Sequence, residues 1–455
     1  FPTRPRLTSD KIFPQDAQGR PEVNRRGQYC CRFFFNGCWR CVTFDDQLPV
    51  SPNGQPAASY ARNGDLWVSL YEKAFLKLHG GYDFPGSFTF LDLYAMTGWI
   101  PEDKRDLSPD NSDHFWGVVS RGTKNGDCLL ACGTKKMTEQ EEEEVGLASR
   151  HAYAILEVLD ESQAEGHRML LLKNPWSRRR WRGAFSPEDR TNWTPTLKQK
   201  LEYNDLTALS QDKGMFWMLW SDVVRYFDHV SCSWNPNLFP YQLDAHFSWP
   251  KGQDLEPGWL LRNPQLSITV PPTATSGYIW IVLNQHSSNL REEAKAEYLA
   301  VHLFKGTGRP SHRILSMEGV VQKQVYMDTR ATTVQLETQA SSSPQYFIAV
   351  VSRYHPVQLP ELRATARAYA TVPINFALIP PNMLGNKPFH GSWTPSCAGG
   401  HCGSAGFRDN PTWELEFAVA GPTWVRVVVE APGTQPAAYV LGVDGQFLVS
   451  GSHGR

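Results

Sequence analysis

The sequence predicts two architectures in series: an α+β part up to about residue 236, then an all-β part of sandwich type. Three observations carry this reading. Before residue 236, strand-like apolar runs interleave with stretches of helical period; after it, short strands are separated by Pro, Gly and Ser, and helix signals are few. The third is an internal repeat. His246-Phe-Ser-Trp249, Asn263-Pro264 and Gly277-Tyr-Ile-Trp280 recur in order as His390-Gly-Ser-Trp393, Asn410-Pro411 and Gly421-Pro-Thr-Trp424. The second copy reaches Arg455 after about half the length of the first, so a second, incomplete sandwich is expected.

At 455 residues the chain has room for two to four domains with cores of their own. A net charge of -1 gives no global basic field for nucleic acid or an anionic membrane. No apolar run approaches a transmembrane helix, and the start Phe1-Pro-Thr-Arg has no signal-peptide profile. The missing initiator Met is read as a chain lacking its beginning. The nine cysteines (30, 31, 38, 41, 128, 132, 232, 397 and 402) are odd in number, which favours reduced thiols in a cytoplasmic protein. Cys38-Trp-Arg-Cys41 has zinc-type spacing, but it lies in a strand-like run, where an odd offset sends the two thiols to opposite faces. No metal is assigned to it.

In chain order, Gly27 to Phe35 and Cys38 to Val50 read as a hairpin about Asn36-Gly37, with Asp45-Asp46 as a solvated strand end. A helix follows from about Asp65 to His79. Its core face is Leu66, Trp67, Leu70, Tyr71, Ala74, Phe75 and Leu78, and Gly80-Gly81 stops it. Gly126-Asp-Cys128 resembles a thiol nucleophile entering a helix. Its apolar followers read as a strand, though, and Cys128 lies only 23 residues before His151, so it is taken as structural. Thr138-Glu-Gln-Glu141 is a capping box opening a short acidic helix through Glu144, read as solvated rather than metal-binding. Arg178-Arg-Arg-Trp-Arg182 is one basic patch on a neutral chain, read as surface, and no nucleic-acid partner is assigned. A helix from about Ser221 to His229 closes the first part.

The most informative stretch runs from His151 to Trp176. Two largely apolar runs short enough for strands, His151 to Leu159 and His167 to Trp176, flank a polar turn at Asp160 to Gly166. The midpoint of His151 and Asn174 falls in that turn, which predicts that the two are cross-strand neighbours. An asparagine amide oxygen accepting an imidazole N–H is the orienting half of a Cys-His-Asn protease site, and Trp176 could cover the contact. On spacing alone a second reading stays open: a structural histidine at a strand edge, with Asn-Pro opening a turn.

Several pieces together resemble the calpains. They are Leu66-Trp67-Val-Ser-Leu-Tyr-Glu-Lys-Ala-Phe-Leu-Lys77, Asp45-Asp-Gln-Leu-Pro49, His151-Ala-Tyr153, Lys173-Asn-Pro-Trp176 and Phe216-Trp217-Met218. Gly80-Gly-Tyr-Asp-Phe-Pro-Gly86, Thr97-Gly-Trp-Ile-Pro101 and the doubled sandwich are similar to the PalB branch. The resemblance implies an incomplete papain-like α+β core in two subdomains (1–98 and 99–236), followed by C2-like sandwiches at 237–380 and 381–455. It implies an intracellular cysteine endopeptidase working through an acyl-enzyme, with His151 as general base, Asn174 as its orienter and Trp176 as a shield. In calpains the nucleophilic Cys and the oxyanion Gln precede the region where this chain starts, so no nucleophile is assigned here and the chain alone is expected to be inactive.

Arg150 stands where conventional calpains usually have Gly. The family's calcium carboxylates in the second subdomain fall here on Arg180, Pro187, Lys213 and Met215, so calcium is expected to be absent there. Asp83 matches an acidic ligand position of the first subdomain. Implied partners are protein substrates, together with protein or phospholipid ligands of the C2-like domains; implied localisation is cytoplasmic, with endosomal association by resemblance. The competing reading is a non-catalytic scaffold.

Overall fold

A computed structural model describes residues 6–61, 64–84, 86–104, 107, 109–176, 179–204, 214–249, 260, 263–287, 298–308, 313–314, 316–354 and 361–380, with 392, 394, 396, 439–441 and 447–450. Two compact units divide the chain at Phe1–Asn382 and Met383–Arg455.

The first unit starts with a short helix α1 (Arg6–Ser9) and a three-stranded sheet, β1 (Ile12–Phe13), β2 (Gln28–Phe35) and β3 (Cys38–Asp45), in that order. Asn36 and Gly37 both have positive φ (52° and 75°), which is what a two-residue hairpin turn matching strand twist requires. The strand ends at Asp45, which pairs with Lys73, rather than running on to Val50. Helix α2 (Trp67–Leu78) buries Ser69, Leu70, Tyr71, Ala74 and Phe75 against Tyr29, Cys31, Phe33 and Phe44. Leu66 and Trp67, expected on that face, are exposed; they are the N-cap and the first residue of the helix. Gly81 N–H closes the helix on the Leu76 carbonyl. Helix α3 (Thr89–Thr97) ends at Gly98, whose φ is 70° and whose added Cβ would lie 2.8 Å from the Trp39 ring.

A six-stranded antiparallel sheet follows. Its members in chain order are β4 (Ile100–Lys104), helix α4 (Pro109–Lys124), β5 (Cys128–Thr134), α5 (Glu139–Val145), β6 (Ala152–Leu159), β7 (Met169–Lys173), α6 (Pro195–Lys200), β8 (Met215–Leu219), α7 (Trp220–Tyr226) and β9 (Phe227–Trp234). The strand order is β4-β9-β5-β6-β7-β8. Residues 227–229, expected in helix, open β9 instead; Phe227 and Val230 both reach the core because a register shift opposite Gly133 and Thr134 lies between them, so sheet pairing wins over the helical stripe. Cys128 is buried at the start of β5, paired with Trp234. Trp181, expected on a basic surface patch, is buried in the same core as Tyr153 and Phe216.

Beyond Pro236 two sheets face each other. One contains β10 (Tyr241–Trp249), β12 (Gly277–Gln285), β15 (Ala331–Thr338) and β17 (Leu362–Ala370). The other contains β11 (Gln265–Val270), β13 (Leu299–Lys305), β14 (Val320–Gln322), β16 (Gln345–Arg353) and β18 (Asn375–Leu378). Their inner faces interdigitate Trp249, Ile279, Ile281 and Val334 with Leu266, Ile268, Val301 and Val351. That is a β-sandwich, as alternation and turn chemistry predict. The outer face of the first sheet packs Trp280, Val282 and Tyr369 on Phe34, Tyr94 and Ile100 of the α+β part. The hairpin tip adds polar anchors: the Asn36 amide donates to Ser287 O (2.9 Å) and accepts from Ser287 N–H (3.1 Å).

In the second unit the described strands are β19 (Tyr439–Leu441) and β20 (Phe447–Ser450), an antiparallel pair. The rest of the expected second sandwich, including the repeat at His390 to Trp424 and Cys397 and Cys402, lies outside the described residues. Among the described residues, no helix is long and apolar enough to cross a membrane.

Candidate active site

His151 immediately precedes β6 and Asn174 immediately follows β7, so two neighbouring strands deliver them to one end of the six-stranded sheet. Their register differs from the symmetric one expected. Ala154 pairs with Lys173, and a bulge lies between Ile155 and Glu157. Continued past the strand ends, that register sets Asn174 opposite Tyr153, and Trp176 opposite His151. His151 and Tyr153 share a face, so the imidazole reaches the asparagine diagonally.

The contact is well defined. His151 Nε2 lies 3.0 Å from Asn174 Oδ1. Two further bonds fix which way the Asn174 amide points. Its Nδ2 donates to the Arg179 carbonyl (3.1 Å), and its Oδ1 accepts from the Trp176 main-chain N–H (3.0 Å). With Oδ1 facing the ring, Nε2 must carry the proton and donate. Neutral His151 therefore keeps its lone pair on Nδ1, the nitrogen that would take a proton from a nucleophile. Asn174 is fully buried, so an orphaned amide there would be costly and the network is specified. Burial pulls the His151 pKa below its ordinary value, partly offset by the bond to Asn174. A base kept neutral at physiological pH is one ready to accept a proton. The Trp176 ring lies 3.9 Å from the imidazole, tilted by 30°, and is 59% exposed. It screens the histidine and its bond to Asn174 from one side.

The loop before His151 is pinned in ways the sequence did not announce. Thr134, buried at the end of β5, accepts from His151 N–H (2.9 Å) and donates to the Ala148 carbonyl (2.6 Å). Its own N–H donates to the His151 carbonyl (3.0 Å). Tyr153 hydroxyl accepts from Ala148 N–H (2.8 Å). Arg150 sits at φ 48°, in the left-handed region. The glycine that the resemblance leads one to expect there would adopt this conformation without the cost of a side chain. The acidic helix is also more than a solvated face. The Glu142 carboxylate accepts from Ser149 N–H (2.6 Å) and pairs with Arg179. The one signal for any of this was the Thr138–Glu141 capping box, which forms as expected and sets the phase of α5.

Among the described residues, the cysteines form no disulfide. Cys132, opposite Tyr153 in the sheet, is buried, and burial raises its thiol pKa well above the ordinary value. Such a thiol is core packing rather than a nucleophile.

The family described as "Calpain family cysteine protease" matches residues 3–233. The chain belongs to the calpain family, and the resemblance to the PalB branch is borne out. It is 35% identical to "Calpain-7" of Homo sapiens over 96% of this chain and 53% of that protein. It is 33% identical to "Calpain-like protease palB/RIM13" of Aspergillus oryzae over 94% of this chain and 49% of that protein. Against "Calpain-like protease palB/cpr-8" of Neurospora crassa the figures are 30%, 99% and 48%. The chain thus spans about half the length of the curated relatives it matches.

Proposed function

We propose that this chain is the general-base portion of an intracellular calpain-type cysteine endopeptidase, with a papain-like core and C2-like sandwiches. The observation that carries the proposal is the amide orientation of Asn174, which commits His151 to the Nε2–H tautomer and leaves Nδ1 for a thiol. In the reaction, Nδ1 takes the proton of the thiol, and the thiolate so formed attacks a peptide carbonyl. The resulting imidazolium, steadied by Asn174, then protonates the leaving amine; a water deprotonated by the same nitrogen releases the acyl group. No cysteine of the chain is assigned as the nucleophile, and the chain spans about half the length of the relatives it matches.

The second half of the core is read as free of calcium. Arg180 stands at one of the expected ligand positions and pairs with Glu188 at 3.2 Å. Asp189 spends its oxygens on Phe185, Thr191 and Asn192 N–H groups. Carboxylates so committed are poor ligands for a hard cation. Calorimetric titration of the chain is expected to give no tight, stoichiometric calcium binding attributable to this segment; binding abolished by substituting Glu188 or Asp189 would overturn that.

The test of the main reading uses the whole native protein from its source. A thiol-directed label should be taken up and peptides hydrolysed, with His151→Ala lowering kcat/KM at least about a hundredfold. Native protein that takes no label and cleaves nothing would favour the scaffold reading instead.

A further inference from the structure

We infer that Glu142 and Arg179 are positioning residues for the catalytic pair, tying the His151 loop to the Asn174 loop through one carboxylate. The inference rests on the His151–Asn174 reading. Neither residue touches His151. One Glu142 oxygen accepts from Ser149 N–H at 2.6 Å, two residues before the histidine. The other accepts from the Arg179 guanidinium. Arg179 in turn offers its main-chain carbonyl to Asn174 Nδ2 at 3.1 Å, the bond that decides which end of the amide faces the imidazole. A single side chain thus reaches both halves of the pair, one through a main-chain N–H and one through an ion pair.

The helix that carries Glu142 is fixed independently, so the carboxylate is presented rather than merely available. The Thr138–Glu141 capping box sets its start. At its end Arg182 N–H donates to the Val145 carbonyl at 3.0 Å. Gly146 there has φ 77°, and a Cβ on it would fall 2.0 Å from the Arg180 carbonyl oxygen. Helix end and 179–182 segment therefore lie in close contact. Glu142 is largely covered, with 17% of its side chain exposed. Its neighbours are turned to other tasks: Glu141 closes the capping box, and Glu144 accepts from Gln140. An ordinary surface ion pair would contribute little and could be deleted without consequence for the site. Here deletion frees the Arg179 carbonyl to move, and with it the constraint on Asn174.

The test is the tautomer of neutral His151, read by nitrogen NMR on the full chain labelled at histidine and assigned with a His151→Gln variant. The unmodified chain should show Nε2–H as the dominant tautomer, with a measurable ratio to Nδ1–H. Asn174→Ala should lower the ratio of Nε2–H to Nδ1–H roughly tenfold, the effect of losing one hydrogen bond. Glu142→Ala and Arg179→Ala should each lower it roughly threefold, as expected of coupled neighbours. Glu142→Gln, which keeps an acceptor for Ser149 N–H, should recover part of the loss. A ratio unchanged in both Glu142→Ala and Arg179→Ala, while Asn174→Ala shifts it, would overturn the positioning role alone. No shift in Asn174→Ala would remove the reading on which it rests. A purely structural role would lower the melting temperature of the variants without changing the tautomer ratio.

Discussion

The indole of Trp176 and the imidazole of His151 face each other at 3.9 Å, while the main-chain N–H of the same tryptophan holds the amide oxygen that His151 uses. One residue therefore does two things for the pair. Its backbone orients Asn174 and its side chain covers the histidine.

Because the orienting bond is made by the backbone, Trp176→Ala should leave the Asn174 amide in place and remove only the cover. The side chain is 59% exposed, so the melting temperature should move little. On the proposed function, kcat/KM of the whole protein should fall, and the apparent pKa of His151 should rise as water reaches the ring. The pH profile and a thermal melt together check this. A large loss of stability with an unchanged profile would contradict it.

Thr134→Val removes the hydroxyl while keeping the shape. Its partners, His151 N–H and the Ala148 carbonyl, would lose a buried bond each. The expected cost is about 1–3 kcal/mol in denaturant unfolding. The His151 loop should also exchange its amides faster, which hydrogen exchange would read directly.

The sandwich contains a histidine that should set a pH limit on stability. His302 in β13 is fully buried. Its Nδ1 accepts from Gln324 N–H (3.2 Å) and its Nε2 faces the Tyr326 hydroxyl (3.5 Å). Protonation would set an N–H against the Gln324 N–H, and burial already lowers the pKa from 6.5 to about 4. With the folded pKa below the unfolded one, the unfolded chain binds more protons as pH falls. The stabilisation is then complete above 6.5 and is lost as pH drops through about 4. Melting temperatures measured across that range should fall towards acid, and His302→Gln should flatten the dependence.

Glu102 links the six-stranded sheet to the sandwich. It accepts from Trp234 Nε1 (2.8 Å) and from the Gln335 amide of β15. Gln335→Ala should therefore lower stability by about 1 kcal/mol in chemical unfolding, without altering the His151 signals. A change in those signals would mean that the sandwich contact acts on the site as well.

Local pattern was enough for much of this molecule. The Asn36-Gly37 hairpin, the α2 stripe with its Gly80-Gly81 stop, the capping box of α5 and the alternating strands after residue 236 all follow from periods and turn chemistry within a dozen residues. Where local pattern failed, tertiary packing had overridden it. Residues 227–229 joined the sheet, and Trp181 left a basic patch for the core.

The candidate site divides in the same way. The sequence by itself determined that a histidine and an asparagine would flank one hairpin, because strand length and turn position are local properties. Only the tertiary structure decided the diagonal register, the tautomer of His151 and the identity of the groups that enforce it. Those depend on Thr134 from a neighbouring strand, on Arg179 from the segment after Asn174, and on Glu142 from a helix. Each is a hydrogen bond between segments that are brought together only when the sheet closes its core, and no periodicity in the chain encodes the direction of an amide.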